Sequence, residues 1–60
     1  MEPGKQYAER LNRKAIGSMD LRRSMKNFWI HWNNESYEWQ MDFVKAVKPE
    51  IMVYIMNHNG

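Results

Sequence analysis

Sixty residues without a single cysteine leave this chain few ways to become stable. A chain of this length buries only about 60% of the surface that it exposes when unfolded, so its core is small. Neither a disulfide nor a thiolate metal site can compensate. Close helix packing and self-association are the means that remain. Because 43% of the residues are hydrophobic, we expect one helical domain at 1–60 whose apolar side chains cannot all be covered within a single copy.

The spacing of apolar residues indicates helices rather than strands. Glycine, serine, asparagine and proline positions divide the chain into four segments, and the first three segments repeat apolar residues every three or four positions. The predicted fold class is therefore all-α, a small three-helix bundle with a short C-terminal fourth helix. The predicted helices lie at about 3–16, 19–33, 37–48 and 50–57.

The second segment carries the clearest helical pattern. Its apolar residues repeat at the spacing that places them on one face of a helix: Leu21, Met25, Phe28, Trp29 and Trp32. Ser18 precedes this segment and Ser36 precedes the third, and serine is a favoured N-cap residue because its hydroxyl accepts a hydrogen bond from an N–H of the first turn. Both serines are therefore predicted to begin helices.

The fourth segment leaves two alternatives open. Residues 50–56 are apolar almost throughout, so their periodicity does not separate a helix from a strand. Pro49 suits the first position of a helix, which favours the helix. As a strand, the segment would have to pair with the same strand of a second chain, because no other segment has the pattern of a strand.

No residue pattern points to catalysis. The chain contains two histidines, neither of them in an HxxxH or ExxH motif, and it has no glycine-rich phosphate loop. A chain this short also has difficulty enclosing a pocket that excludes water. We therefore expect a protein that is not an enzyme, with no catalytic residue, no metal site and no cofactor.

Aromatic, methionine and basic residues instead indicate binding to another protein. Three tryptophans are difficult to bury completely in so small a molecule, and Trp, Met and Arg are enriched at protein interfaces. Residues 1–30 carry seven basic and three acidic side chains, whereas 31–60 carry two basic and four acidic, so an acidic partner surface suits the first half. We predict a regulator, adaptor or inhibitor that binds a larger protein. The predicted partner-binding residues are Arg22, Arg23, Lys26, Trp29, Trp32 and Trp39.

Self-association is the second expectation for this composition. The third and fourth segments are so apolar that a second chain would have to cover part of them, and we predict a homodimer. The predicted dimer interface consists of Phe43, Val47, Ile51, Tyr54 and Ile55.

A DNA- or RNA-binding regulator is the alternative function. A basic face on the helix at 19–33 could contact phosphates, and Asn27 on the same helix could read adenine. The longest apolar run has six residues, far below the roughly 20 that span a bilayer, so no membrane span is predicted. The N-terminal residues show no apolar signal segment, and a cytoplasmic site of action is expected.

Overall fold

The computed structural model describes residues 2–59, which contain four helices and no strand. The all-α prediction is confirmed. Residues 50–56 lie within the fourth helix, so the strand alternative is wrong. None of the four helices in this part of the chain combines the length and the apolar character needed to cross a membrane. The helices are α1 (Gly4–Asn12), α2 (Met19–Asn34), α3 (Tyr37–Ala46) and α4 (Pro49–Asn57).

The starts of α2, α3 and α4 follow from local sequence signals. The Ser18 hydroxyl accepts a hydrogen bond from the Leu21 N–H at 3.1 Å, and the Ser36 hydroxyl accepts one from the Trp39 N–H at the same distance. Each satisfies an N–H that has no partner within its own helix. Pro49 occupies the first position of α4, where its missing N–H costs nothing.

Two helix ends differ from the prediction. The first helix ends at Asn12 rather than near Ile16. Asn12 is held by the turn after α3, since its side chain donates to the Ala46 carbonyl and accepts from the Lys48 N–H, both at 2.9 Å. Gly17 adopts a left-handed conformation (φ 81°) in the loop before α2. The third helix ends two residues early because Pro49 forces Lys48 into an extended conformation.

All four helices contribute to one core. Its largest fully buried side chains are Phe28, Phe43, Leu21, Ile51 and Ile55. Around them the aromatic rings pack mainly edge-on or tilted, as the quadrupoles of aromatic rings favour. The Phe43 ring, for example, is tilted against the Phe28 ring, with 5.0 Å between the centroids. The pair of Phe43 and Trp39 is an exception, because these two rings are stacked at 5.9 Å. The remaining core residues are Tyr7, Ala8, Leu11, Met25, Trp39 and Val47.

The tightest helix crossing brings the start of α1 against α3. Gly4 lies on the backbone of Trp39 and Phe43, where a larger residue has no room. The Asp42 carboxylate accepts a hydrogen bond from the Lys5 N–H at 2.7 Å and so caps α1 from a neighbouring helix. This carboxylate replaces a cap that Pro3 at the N-cap position does not supply. The position of α1 is therefore set by long-range contacts.

Candidate interaction surface

The three predicted cationic residues lie on the solvent side of α2. Leu21, Met25 and Phe28 turn the opposite side of this helix into the core. Because an α-helix turns once in 3.6 residues, Arg22, Arg23 and Lys26 must then point away from the bundle, and all three are exposed. The sequence prediction of an outward basic face on this helix agrees with their positions.

Two large apolar side chains accompany these cations. Met19 is 59% exposed and Ile30 is 51% exposed. They are eleven residues apart, close to three full turns, so they lie on the same side of α2 with the basic residues between them. We call this set of residues, Met19, Arg22, Arg23, Lys26 and Ile30, the α2 outer face.

The α2 outer face carries positive charge that no neighbouring carboxylate neutralises. Within residues 2–59, other cations do have partners: Arg10 pairs with Glu2 at 2.8 Å and Lys14 pairs with Asp20 at 2.8 Å. No carboxylate of these residues lies within 4 Å of the charged groups of the α2 outer face. This surface therefore combines unpaired positive charge with exposed apolar area.

The three tryptophans make contacts inside the chain. Trp39 is buried and its indole N–H donates to the Glu2 carbonyl at 2.9 Å. Trp29 is half-buried and its indole N–H donates to the His58 carbonyl at 3.2 Å. Trp32 is half-buried against Phe28, with 5.7 Å between the ring centroids. Of the three tryptophans predicted to contact a partner, Trp39 thus lies in the core, and the other two expose only part of their surface.

Tyr37, which the sequence reasoning did not select, is the most exposed large hydrophobic residue in the described chain, at 74%. It borders an open groove of about 700 Å³ between the starts of α1 and α3. The exposure of Tyr37 could have been predicted from the spacing of residues in the sequence. Tyr37 is about half a turn out of phase with Trp39 and Phe43, so a helix that buries those two residues exposes Tyr37.

Four of the five predicted dimer residues are core residues of the single chain. Phe43, Val47, Ile51 and Ile55 are buried, so their side chains offer no surface to a second copy. Tyr54 is half-buried and its ring stacks on the His58 ring, with centroids 3.9 Å apart. These four residues, predicted at the dimer interface, therefore belong to the core of the single chain, and α4 presents other apolar side chains to solvent.

The exposed face of α4 carries Val53 and Met56, which are 58% and 63% exposed. Met52 lies beside them and is half-buried. These three residues are spaced so that they form one stripe along the helix. We call Met52, Val53 and Met56 the α4 outer face.

His31 and Glu35 form a pair that the sequence reasoning missed. The two residues are one helical turn apart, a spacing that could have revealed the pair. His31 Nδ1 lies 3.5 Å from Glu35 Oε2, and the imidazole ring lies 5.0 Å from the Tyr7 ring. Among residues 2–59, no three histidine or carboxylate side chains come together as metal ligands.

Two groups on α1 have shifted pKa values. Burial raises the pKa of the Tyr7 hydroxyl above its ordinary value, so the hydroxyl stays protonated and can donate a hydrogen bond. The side-chain hydrogen bond to Glu2 raises the pKa of Arg10, whose guanidinium also lies over the Tyr7 ring at 4.8 Å from its centroid.

Comparisons with known proteins give no match to this chain. No protein-family model matches the sequence, no curated protein is significantly similar to it, and no solved structure is similar to its fold.

Proposed function

We propose that this chain is a small non-enzymatic binding protein, a regulator, adaptor or inhibitor, that docks on an acidic surface of a larger cytoplasmic protein through the α2 outer face. The observation that carries the proposal is the combination of unpaired cations with exposed Met19 and Ile30 on one side of a rigid helix. Charged residues at an interface speed association and select the partner, whereas apolar side chains supply most of the binding energy. The α2 outer face offers both.

The alternative is a DNA- or RNA-binding regulator that uses the same face. Exposed Arg22, Arg23 and Lys26 would suit phosphates, and Asn27 is exposed on the same helix. Met19 and Ile30 favour the protein partner, since solvent-exposed apolar side chains beside the cations gain little from contact with a phosphate backbone. The experiment below separates the two functions.

We expect the triple substitution Arg22→Gln, Arg23→Gln and Lys26→Gln to abolish capture of the partner in a pull-down from native extract. The physical reason is the loss of three steering charges, which lowers the association rate and the affinity by at least about tenfold. The measurement is the amount of partner retained by the tagged full chain as salt is increased.

The matched control is the triple substitution Lys5→Gln, Lys45→Gln and Lys48→Gln, which removes the same net charge from exposed positions elsewhere. It should keep the partner. Equal retention by both triple variants, or no specific capture by the unmodified chain, contradicts the proposal. Steeply salt-dependent binding to a labelled DNA duplex or RNA strand, lost only in the α2 variant, establishes the alternative instead.

We also propose that the chain forms a homodimer, with the α4 outer face as its interface in place of the residues predicted from the sequence. The three side chains of this face are apolar, and a two-fold axis would bring the stripes of two copies together. Because α4 carries apolar side chains outside the core as well as inside it, its exposed stripe suits an association surface.

We expect Val53→Lys combined with Met56→Lys to weaken dimerisation by at least about tenfold, because the two-fold axis would place four ammonium groups in one apolar contact. Sedimentation equilibrium at tens of micromolar should give a dimer for the unmodified chain and a monomer for the variant. Val44→Lys, at an exposed position of α3, is the control and should remain dimeric. A strict monomer for the unmodified chain contradicts the proposal.

A further inference from the structure

A small polar cleft of about 120 Å³ lies between α1 and α2, away from the α2 outer face. The residues that line it from α2 are Ser24, Asn27 and His31. Their side of the helix is rotated by roughly a quarter to a third of a turn from the side that carries Arg23 and Lys26. Leu11 contributes an apolar wall. The polar residues that line it from α1 and the loop after it are Tyr7, Arg10 and Lys14.

The lining of this cleft is rich in hydrogen-bond donors, although the Ser24 hydroxyl already donates to the Asp20 carbonyl at 2.9 Å. It contains a guanidinium, an ammonium, a side-chain amide, two hydroxyls and an imidazole, and no carboxylate among residues 2–59 lines it. Such a set of donors is complementary to an oxyanion, because charge-assisted hydrogen bonds from cations to anionic oxygens are the strongest that side chains make.

The Tyr7 hydroxyl is a further hydrogen-bond donor beside this cleft. Tyr7 is only 4% exposed and belongs to the core, yet none of the side-chain hydrogen bonds among residues 2–59 involves its hydroxyl. This hydroxyl is not fully enclosed, and Tyr7 is one of the residues that line the cleft. A donor placed at the edge of the core without a partner is available to a bound acceptor.

The ion pairs already present leave room for such a ligand. Lys14 is mostly covered, with 22% of its side chain exposed, whereas its partner Asp20 is 72% exposed. A pair with so exposed a carboxylate is weak because water screens it. Arg10 donates to Glu2 from Nε and from one terminal nitrogen, both at 2.8 Å, which leaves its other terminal nitrogen for a ligand. Neither Asp20 nor Glu2 lines the cleft.

We propose that the cleft between α1 and α2 binds a small tetrahedral oxyanion of the phosphate type, held by the side chains of Arg10 and Lys14 and by the Tyr7 hydroxyl. The same phosphate chemistry is present in the free inorganic ion and in the phosphate monoester of a small molecule. A phosphate group offers at least three acceptor oxygens in different directions, which suits donors arriving from two helices. The site is separate from the α2 outer face and does not depend on it.

The test is a titration of the isotope-labelled full chain with inorganic phosphate, followed by backbone amide NMR at constant ionic strength with chloride as the balancing anion. We expect saturable shifts in the millimolar range at Tyr7, Asn27 and His31. Lys14→Gln should weaken binding by about tenfold, which is the loss of one charge-assisted hydrogen bond. Tyr7→Phe keeps the aromatic ring in the core and should weaken binding by about threefold.

Lys26→Gln is the matched control, since it removes the same charge from the α2 outer face and should leave the phosphate affinity unchanged. Glycerol phosphate, titrated in the same way, distinguishes the two sources, because a monoester site binds it at least as tightly as the free ion. The proposal is overturned by shifts that do not saturate, by equal weakening in Lys14→Gln and Lys26→Gln, or by acetate binding as tightly as phosphate. Failure of this site would leave the partner-binding result unchanged, since Lys14 and Tyr7 lie outside the α2 outer face.

Discussion

Gly4→Ala is expected to lower the free energy of unfolding by about 3 kcal/mol. An added Cβ would collide with the Trp39 carbonyl oxygen and come within 2.9 Å of the Phe43 backbone nitrogen. Overpacking usually costs about 1–3 kcal/mol, and the upper end applies because backbone atoms cannot rotate out of the way. A 60-residue domain has only about 3–9 kcal/mol of stability in total. Thermal unfolding followed by circular dichroism should show a midpoint at least about 12 °C lower.

Gly17→Ala is the matched control for this substitution. Nothing lies within 4 Å of a Cβ at Gly17, but its backbone has a φ of 81°, which side chains tolerate poorly. The expected loss is about 1 kcal/mol, from backbone strain alone. If Gly4→Ala were no more harmful than Gly17→Ala, the close crossing of α1 and α3 would be refuted.

Phe43→Ala is the second substitution with a large expected effect. Phe43 is fully buried and packs against Phe28, Trp39, Tyr7 and Trp32 at centroid distances of 5.0–6.2 Å. Removing a buried phenyl ring typically costs about 3–5 kcal/mol, because the cavity collapses only in part. That cost is comparable to the whole stability expected for a chain of this length, so we expect the variant to be largely unfolded at 25 °C.

Val44→Ala provides the comparison for Phe43→Ala on the adjacent, outward position of α3. Val44 is exposed, and its truncation should change the free energy of unfolding by no more than about 0.5 kcal/mol. Urea denaturation of both variants measures the difference. A Phe43→Ala chain that stays folded and changes only its state of association would mean that Phe43 faces a second copy and not the core.

The two largest effects arise from residues whose role depends on a neighbouring helix. Gly4 carries no sequence signal of a close crossing, since a glycine after a proline is equally typical of a turn. Its role appears only when α1 is placed on the backbone of α3. Phe43 was predicted at a dimer interface because α3 is apolar on most of its circumference, and that pattern does not say which side faces inward.

For the binding surface too, one part could be predicted from the sequence and another part is visible only in the structure. The outward position of Arg22, Arg23 and Lys26 follows from the phase of Leu21, Met25 and Phe28 on the same helix, and it could be predicted from the sequence. Arg10 and Lys14 have carboxylate partners, whereas those three residues have none. This difference depends on how the segments of the chain are placed in the fold, and no local sequence pattern contains that information.

By itself the sequence determined the first three helices, the starting points of α2, α3 and α4 if the fourth segment is a helix, and the inward side of α2. These features depend on interactions within a few residues, such as a serine capping an N–H three positions on and apolar side chains repeating at 3.6 residues per turn. Only the tertiary structure decided where α1 ends, which faces of α3 and α4 are buried, and which aromatic side chains remain exposed. Those features depend on contacts between residues more than 30 positions apart, such as the hydrogen bonds of Asn12 with Ala46 and Lys48, and a local pattern cannot encode them.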